Sequence, residues 1–167
     1  DDSMTMSHPR LPRLGHSLRE LLHARRLGAL GTVDAHGGVF VSMVPYAIDT
    51  ASGRLVLHVS GLAAHTHHMQ ANPQVSLLVT GADAPGAPVH DLPRATLQAL
   101  ADAPAPGSAA WASARAAYLG RFADVAPMTE LPDFRFVTLQ VTGARQIAGF
   151  GSARSVTADE MAQVLGA

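Results

Sequence analysis

Three strand-like apolar runs follow one another with only tight turns between them. Leu27 to Val33, Val39 to Asp49 and Arg54 to Val59 are separated by Asp34-Ala35-His36-Gly37-Gly38 and by Thr50-Ala51-Ser52-Gly53. Glycine, aspartate and serine in such clusters are turn signals. A parallel pair needs a crossover of a dozen or more residues, and these connections are far too short for one. The runs therefore pair antiparallel, and the spacing predicts a meander. Pro45, near the end of the second run, has no N–H to give to a ladder, so an edge or a bulge is expected there.

The remaining pattern adds strands and peripheral helices. Leu14, Leu18, Leu21 and Leu22 recur at helical spacing, which predicts a helix over 14–26. Arg25 and Arg26 at its end suit its dipole. Val75 to Thr80 reads as a strand, Gly81 to Asp91 as a Gly/Ala/Pro-rich loop, and 93–102 as a further strand with Arg94, Thr96 and Gln98 on one face. Ser108 is the expected N-cap of a helix reaching Phe122, and Ala123 to Pro132 is expected to be a loop. Phe134 to Val141 and Ala144 to Phe150 read as a strand pair turning at Thr142-Gly143. Thr157 and Glu160, at capping-box spacing, open a last helix ending near Leu165. Six or seven strands joined mainly by hairpins predict a mainly β (α+β) fold: an antiparallel barrel with peripheral helices.

Composition removes several classes of function. With 167 residues the chain fits one compact domain, 14–167, preceded by a flexible segment over 1–13. A formal net charge of −1 gives no broad electrostatic footprint for nucleic acid. Cysteine is absent, which excludes disulfides, thiolate metal sites and a cysteine nucleophile, and fits a cytoplasmic protein. No apolar run reaches the roughly 20 residues of a membrane helix. The polar, proline-containing start does not read as a signal peptide.

The stretch HVSGLAAHTHHMQANPQVSLLV, residues 58–79, carries the most chemistry. A strand ends at Val59, Ser60 and Gly61 follow, and a short helix opens with His65, Thr66, His67 and His68 in its first turns. A helix N-terminus offers unpaired N–H groups and partial positive charge, which suits a phosphate. His65 and His68 share a helical face, so a metal site is a competing reading, but no Asp or Glu lies nearby in sequence to complete it. No metal is expected. His58 alternates within a strand and reads as a packing residue. Gly149-Phe150-Gly151, taken by itself, reads foremost as a strand-ending turn using positive φ. Trp111, Tyr118 and Phe122 lie near helical spacing and read as core.

The segments LGALGTVDAHGGVFVSMVPYAID and HVSGLAAHTHHMQANPQVSLLV, the pair Asp133-Phe134, and GFGSAR at Gly149–Arg154 together resemble the pyridoxamine 5′-phosphate oxidase-related FMN-binding split-barrel family. The branch that includes haem-utilisation flavin-barrel proteins is the nearest in pattern. The resemblance covers roughly 14–165. It implies a six- to seven-stranded antiparallel split β-barrel and a homodimer with FMN at the interface. It places Ser42, Met43 and Val44 beside the flavin ring, and Val59 and Ser60 near the ribityl chain. His65 falls at a phosphate contact with Thr66 next to it; Arg94 approaches from within the dimer, and Phe150 and Gly151 approach the ring. After His65 the family has a basic residue and then asparagine, where this chain has His67 and His68. The paired arginine and lysine of the true oxidase are replaced by Ala63-Ala64-His65. Haem-degrading relatives use a histidine near the C-terminus, and no histidine follows His90 in this sequence, so degradation by that route is not expected.

These observations lead to an expected FMN-binding flavoprotein, an oxidoreductase acting on a small-molecule substrate, with no side chain singled out as catalytic. The alternative is a non-catalytic flavin- or haem-binding module that stores, senses or carries its cofactor. Neither nucleic acid nor membrane is expected as a partner.

Overall fold

Every strand-like run pairs antiparallel, as the short turns demand. The computed structural model describes residues 11–166, so the greater part of the expected N-terminal segment, 1–10, lies outside the described residues. Strands β1 (Leu27–Val33), β2 (Val39–Pro45), β3 (Ala47–Asp49), β4 (Arg54–Ser60), β5 (Gln74–Thr80), β6 (Arg94–Asp102), β7 (Phe134–Ile147) and β8 (Ala153–Thr157) form one sheet. Its order is β2-β1-β5-β6-β7-β4-β3, with β8 added on β7. Helices α1 (Arg13–Ala24), α2 (Ala64–Ala71), α3 (Ala109–Arg121) and α4 (Ala158–Leu165) lie around it. This is the split barrel expected from the sequence.

The early strands are not a meander. The second run splits at Tyr46: β2 stays with β1 at one end of the sheet, and β3 pairs with β4 at the other. Pro45 ends β2, which is an edge strand as expected, but the break that follows it was not foreseen. Tyr46 leaves both ladders because its groups are held elsewhere. Its N–H donates to Arg26 O at 3.0 Å and its hydroxyl to Leu22 O at 2.6 Å. The ring is fully buried, with the Arg121 guanidinium 5.2 Å from its centroid and donating to Tyr46 O at 3.1 Å. One residue thus joins opposite ends of the sheet, so the sheet has to curl.

Inside the curl lie Leu30, Leu57, Leu77, Leu97 and Leu139, all fully buried. Each such side chain contributes about 1.5–3 kcal/mol relative to exposure. Leu18 and Leu22 of α1 and Met161, Val164 and Leu165 of α4 join the same cluster. The two helices are tied by Arg19, whose Nε donates to Val164 O at 3.1 Å. Ser108 caps α3 by accepting from Trp111 N, and Thr157 caps α4 by accepting from Glu160 N, both as the sequence predicts. The expected loop after α3 contains a 3₁₀ segment, Ala123–Glu130. Among the described residues no helix is long and apolar enough to cross a membrane.

The last hairpin is displaced from its expected place. Thr142-Gly143 does not turn: β7 runs straight through, and Gly143 faces Gln98 on one side and Thr157 on the other. Thr142 is the extra residue of a bulge opposite Gln98/Ala99, and its hydroxyl donates to Gln98 O at 3.2 Å. The turn falls at 148–152 instead, where Gly149 (φ 145°) and Gly151 (φ 77°) supply the positive φ it needs, and β8 follows unannounced.

A second, smaller core lies outside the curl, where α3 packs Ala114 and Tyr118 on Ala47, Val56 and Phe136. Trp111 and Phe122 pack against it, as expected. His58 belongs to this layer: its ring stacks on Phe134 (5.1 Å, 21°) and lies 4.8 Å from Phe136. Burial holds its pKa below the ordinary value.

Two outcomes follow from this packing. Tyr46→Phe leaves Leu22 O without its donor and should cost about 1–2 kcal/mol in urea denaturation; an unchanged midpoint would refute the role given to that bond. Because the folded pKa of His58 is depressed, its stabilising contribution is complete above the unfolded value and is lost as pH falls through the folded one. His58→Phe should therefore reduce the slope of stability against pH below about 6.5. His65 keeps part of that slope through its own burial-lowered pKa. Identical slopes for the two proteins would exclude His58 as a contributor.

Candidate functional site

The turn from β4 into α2 is fastened at Ser60. Its side-chain oxygen accepts from Leu62 N at 3.1 Å, and its carbonyl accepts from the Thr66 hydroxyl at 2.5 Å. Thr66 is buried by this, so it anchors the helix rather than facing outward. The helix lays two imidazoles on the sheet. His65 Nδ1 lies 3.0 Å from Ser42 Oγ on β2, and His68 Nδ1 lies 2.9 Å from Thr32 Oγ1 on β1. Phe40 meets the His68 ring edge-on at 5.3 Å. Each histidine thus has Nδ1 engaged by a hydroxyl, which fixes the ring and leaves Nε2 without a hydrogen-bond partner among the described residues. Burial and the neighbouring His68 lower the His65 pKa, so the imidazole is neutral near neutral pH. Among the described residues no group of three or more ligating side chains gathers.

The expected site residues fall into two groups within one chain. Ser42, Ser60, His65 and Thr66 meet around the start of α2, and Val44 and Val59 are buried in the barrel core. Met43, by strand alternation, points the other way and is 66% exposed. Arg94, Phe150 and Gly151 lie together on β6 and the β7–β8 turn, around a shallow cavity of about 250 Å³. Arg94 Nη1 donates to Leu92 O at 2.9 Å, and Phe150 N donates to Asp91 Oδ1 at 2.6 Å. Phe150 itself is 79% exposed. Since β2 and β6 are separated by β1 and β5, the two groups do not meet inside one chain.

Between them runs the outer face of the sheet, which no helix covers at β2. The cross-strand row Met43, Ala29, Leu78, Thr96 and Arg145 spans it. Val39 (84%) and Val41 (66%) stand exposed beside Met43. A concavity of about 590 Å³ lies on this face, floored by Gly31 and Ser76 and walled by Val39, Val41, Gln98 and Leu100.

Two features escaped the sequence reading. Thr32 carries no motif, and only the register of β1 brings it to His68. Arg135 is the other. A Cβ on Gly61 would sit 2.8 Å from Arg135 Nη2 and 3.0 Å from Asp133 O. Gly61 has no positive φ, so this glycine makes room for a guanidinium rather than serving a turn. Among the described residues Arg135 pairs with no acidic side chain. The one available signal is the alternation Phe134-Arg135-Phe136, which puts the arginine on the face opposite the aromatic layer.

Residues 14–148 match the family described as pyridoxamine 5′-phosphate oxidase. The chain belongs to this family. It is 29% identical over 150 residues to Heme oxygenase HutZ of Vibrio cholerae, spanning 89% of this chain and 84% of that one. The solved structure of HutZ, described as the haem storage protein of Vibrio cholerae, superposes with a TM-score of 0.71 at 27% identity, over 80% of this chain and 94% of that chain. A haem-binding protein from Mycobacterium smegmatis superposes with a TM-score of 0.81 at 28% identity. It covers 91% of this chain, which spans 61% of the Mycobacterium protein's length.

Gly61→Ala tests the close approach. It should destabilise the fold by about 1–2 kcal/mol, because the arginine can swing away but the Asp133 carbonyl is backbone. Adding Arg135→Ala should recover part of the loss, read by thermal denaturation. Full recovery would show that the backbone contact costs nothing.

Proposed function

We propose that this protein is a homodimeric haem-binding module whose site lies where α2 meets β1 and β2. The observation that carries it is the pair of α2 imidazoles, each with Nδ1 held by a hydroxyl and Nε2 without a protein partner. Neutral imidazole nitrogen is the commonest protein donor to iron-group metals. The exposed Val39, Val41 and Met43 lie on the face of β2 opposite Ser42 and are left to the dimer partner, while Arg135, beside Gly61 at the start of α2, offers a cation to the carboxylates of the macrocycle. The donor nitrogens and this cation suit the group. When bound, haem would supply the redox and ligand-binding chemistry of its iron; the chain's own part is to ligate, orient and exclude water. Relatives named for haem support the same reading.

A second reading keeps the flavin: an FMN-dependent oxidoreductase acting on a small molecule. It is favoured by the start of α2, where the first-turn amides and Arg135 behind Gly61 suit a phosphate monoester. The absence of cysteine suits work in the cytoplasm under either reading.

The dimer is argued from the uncovered face. A row of exposed valine and methionine on an edge strand invites association, and a two-fold partner covers it on both copies. Such pairing would also let the Arg94–Phe150 group of one chain approach the α2 group of the other.

Titrating one preparation with hemin and with FMN decides between the readings. Stoichiometric growth of a Soret band with weak or no quenching of FMN fluorescence is expected. Tight FMN binding without haem uptake would replace the first reading by the second. Sedimentation equilibrium at micromolar concentration should give a dimer, and Met43→Asp should move it towards monomer. A monomeric wild type would exclude the shared site. Arg94→Ala should weaken cofactor binding more than His36→Ala, a turn residue remote from both groups.

A further inference from the structure

We propose that the cleft between the β3–β4 turn and α4 binds a small zwitterion, an amino acid or short peptide with an apolar side chain. The cleft has a volume of about 490 Å³, a size that suits a small molecule. Its walls carry one cation and one anion: Arg54, the first residue of β4, and Asp159, in the first turn of α4. Val141, Met161 and Leu165 add an apolar lining.

Neither charge is matched within the protein, and the local structure says why. Asp49 stands opposite Arg54 in the β3–β4 ladder, where a partner is expected. Its carboxylate is committed elsewhere: Oδ2 accepts from Ser113 Oγ at 2.6 Å and from Ser52 Oγ at 2.9 Å, and Oδ1 accepts from Ala51 N at 3.2 Å. The half-buried Arg54 is left with one long side-chain bond, from Nη1 to Thr138 Oγ1 at 3.4 Å. On α4 the guanidinium of Arg154 goes to Glu160, at 2.9 Å, and not to Asp159. Among the described residues neither Arg54 nor Asp159 forms an ion pair.

This combination selects the ligand. A phosphate ester would be drawn to Arg54 but would meet Asp159. It would also meet the C-terminal end of α4, where Leu165 and Gly166 line the cleft and the helix carries partial negative charge. A bare amine would meet Arg54. A molecule with one carboxylate and one ammonium satisfies both walls, its carboxylate on Arg54 and its ammonium on Asp159, through charge-assisted hydrogen bonds. The other cavities lack this opposition: no charged residue lines the concavity on the outer face, and no acidic one lines the cavity beside Arg94.

Calorimetric titration of the full chain with leucine and with leucyl-leucine tests the site. At least one should bind saturably below about 10 mM, and the tighter of the two tells amino acid from peptide. Masking the carboxylate of that ligand as its amide, or removing its ammonium, should weaken binding about tenfold or more, because each change deletes a charge-assisted contact. Arg54→Gln should bind the parent and its amide alike while still preferring the ammonium. Asp159→Asn should show the reverse pattern, and circular dichroism checks that both variants are folded. If either variant unfolds, the ligand series on the wild type decides by itself. Absence of saturable binding by both zwitterions, or equal affinity for the parent and its two masked forms, would overturn the proposal. So would a wild-type pattern of preferences in both variants, which would put the zwitterion elsewhere on the protein.

Discussion

Everything in this fold depends on the chain's passage through Tyr46. A strand that begins at one end of the sheet continues, one residue later, at the other. No flat sheet allows that. The curl, the enclosed leucine core and the two distinct faces of the sheet are consequences of that geometry. The site depends on it as well. Because β2 stays at the edge of the order, its inward Ser42 is reachable by a helix that follows β4. In a simple meander, β2 would lie between β1 and the next strand, and α2 would have no edge against which to set His65.

The burial of Tyr46 is secured by groups distant in sequence. Leu22 and Arg26 supply acceptors from α1 and the residues after it, and Arg121 closes over the ring from the end of α3. The helices that look peripheral therefore determine where the barrel splits. Burying a phenol costs free energy unless its hydroxyl is paired, and here the pairing partner is a helix C-terminal carbonyl that has no partner of its own within the helix.

Much of this was legible in the residues. Short turns forced antiparallel pairing, Pro45 marked an edge strand, Ser108 and Thr157 marked helix starts, and the histidine cluster identified α2. What was not legible is non-local. Thr142-Gly143 looks like a turn because glycine often is one, yet pairing on both sides keeps it extended, and the positive φ falls on Gly149 and Gly151 instead. The division of 39–49 into two strands depends on where a tyrosine ring is buried, and burial is a tertiary fact. In the site, His65 was visible and resemblance placed Ser42 beside the flavin ring, but only the fold joins the two. The Thr32–His68 contact needed the register of β1. Arg135 hides behind a glycine whose reason is space, and space has no signature in one sequence.

The long strand β7 has a consequence for the order in which the molecule assembles. β4 ends at Ser60, but the strand that joins it to the rest of the sheet begins only at Phe134. During synthesis the β1–β2 hairpin, β5 and β6 are complete well before β7 exists. Until then the β3–β4 hairpin has no ladder to the main sheet, although it is tied covalently to β2 through Tyr46. The barrel therefore closes late, through contacts far apart in sequence, and such closure is slow. Until it closes, the polar edge of β4 and the leucines behind it remain open to other chains, and folding is most exposed to misassembly.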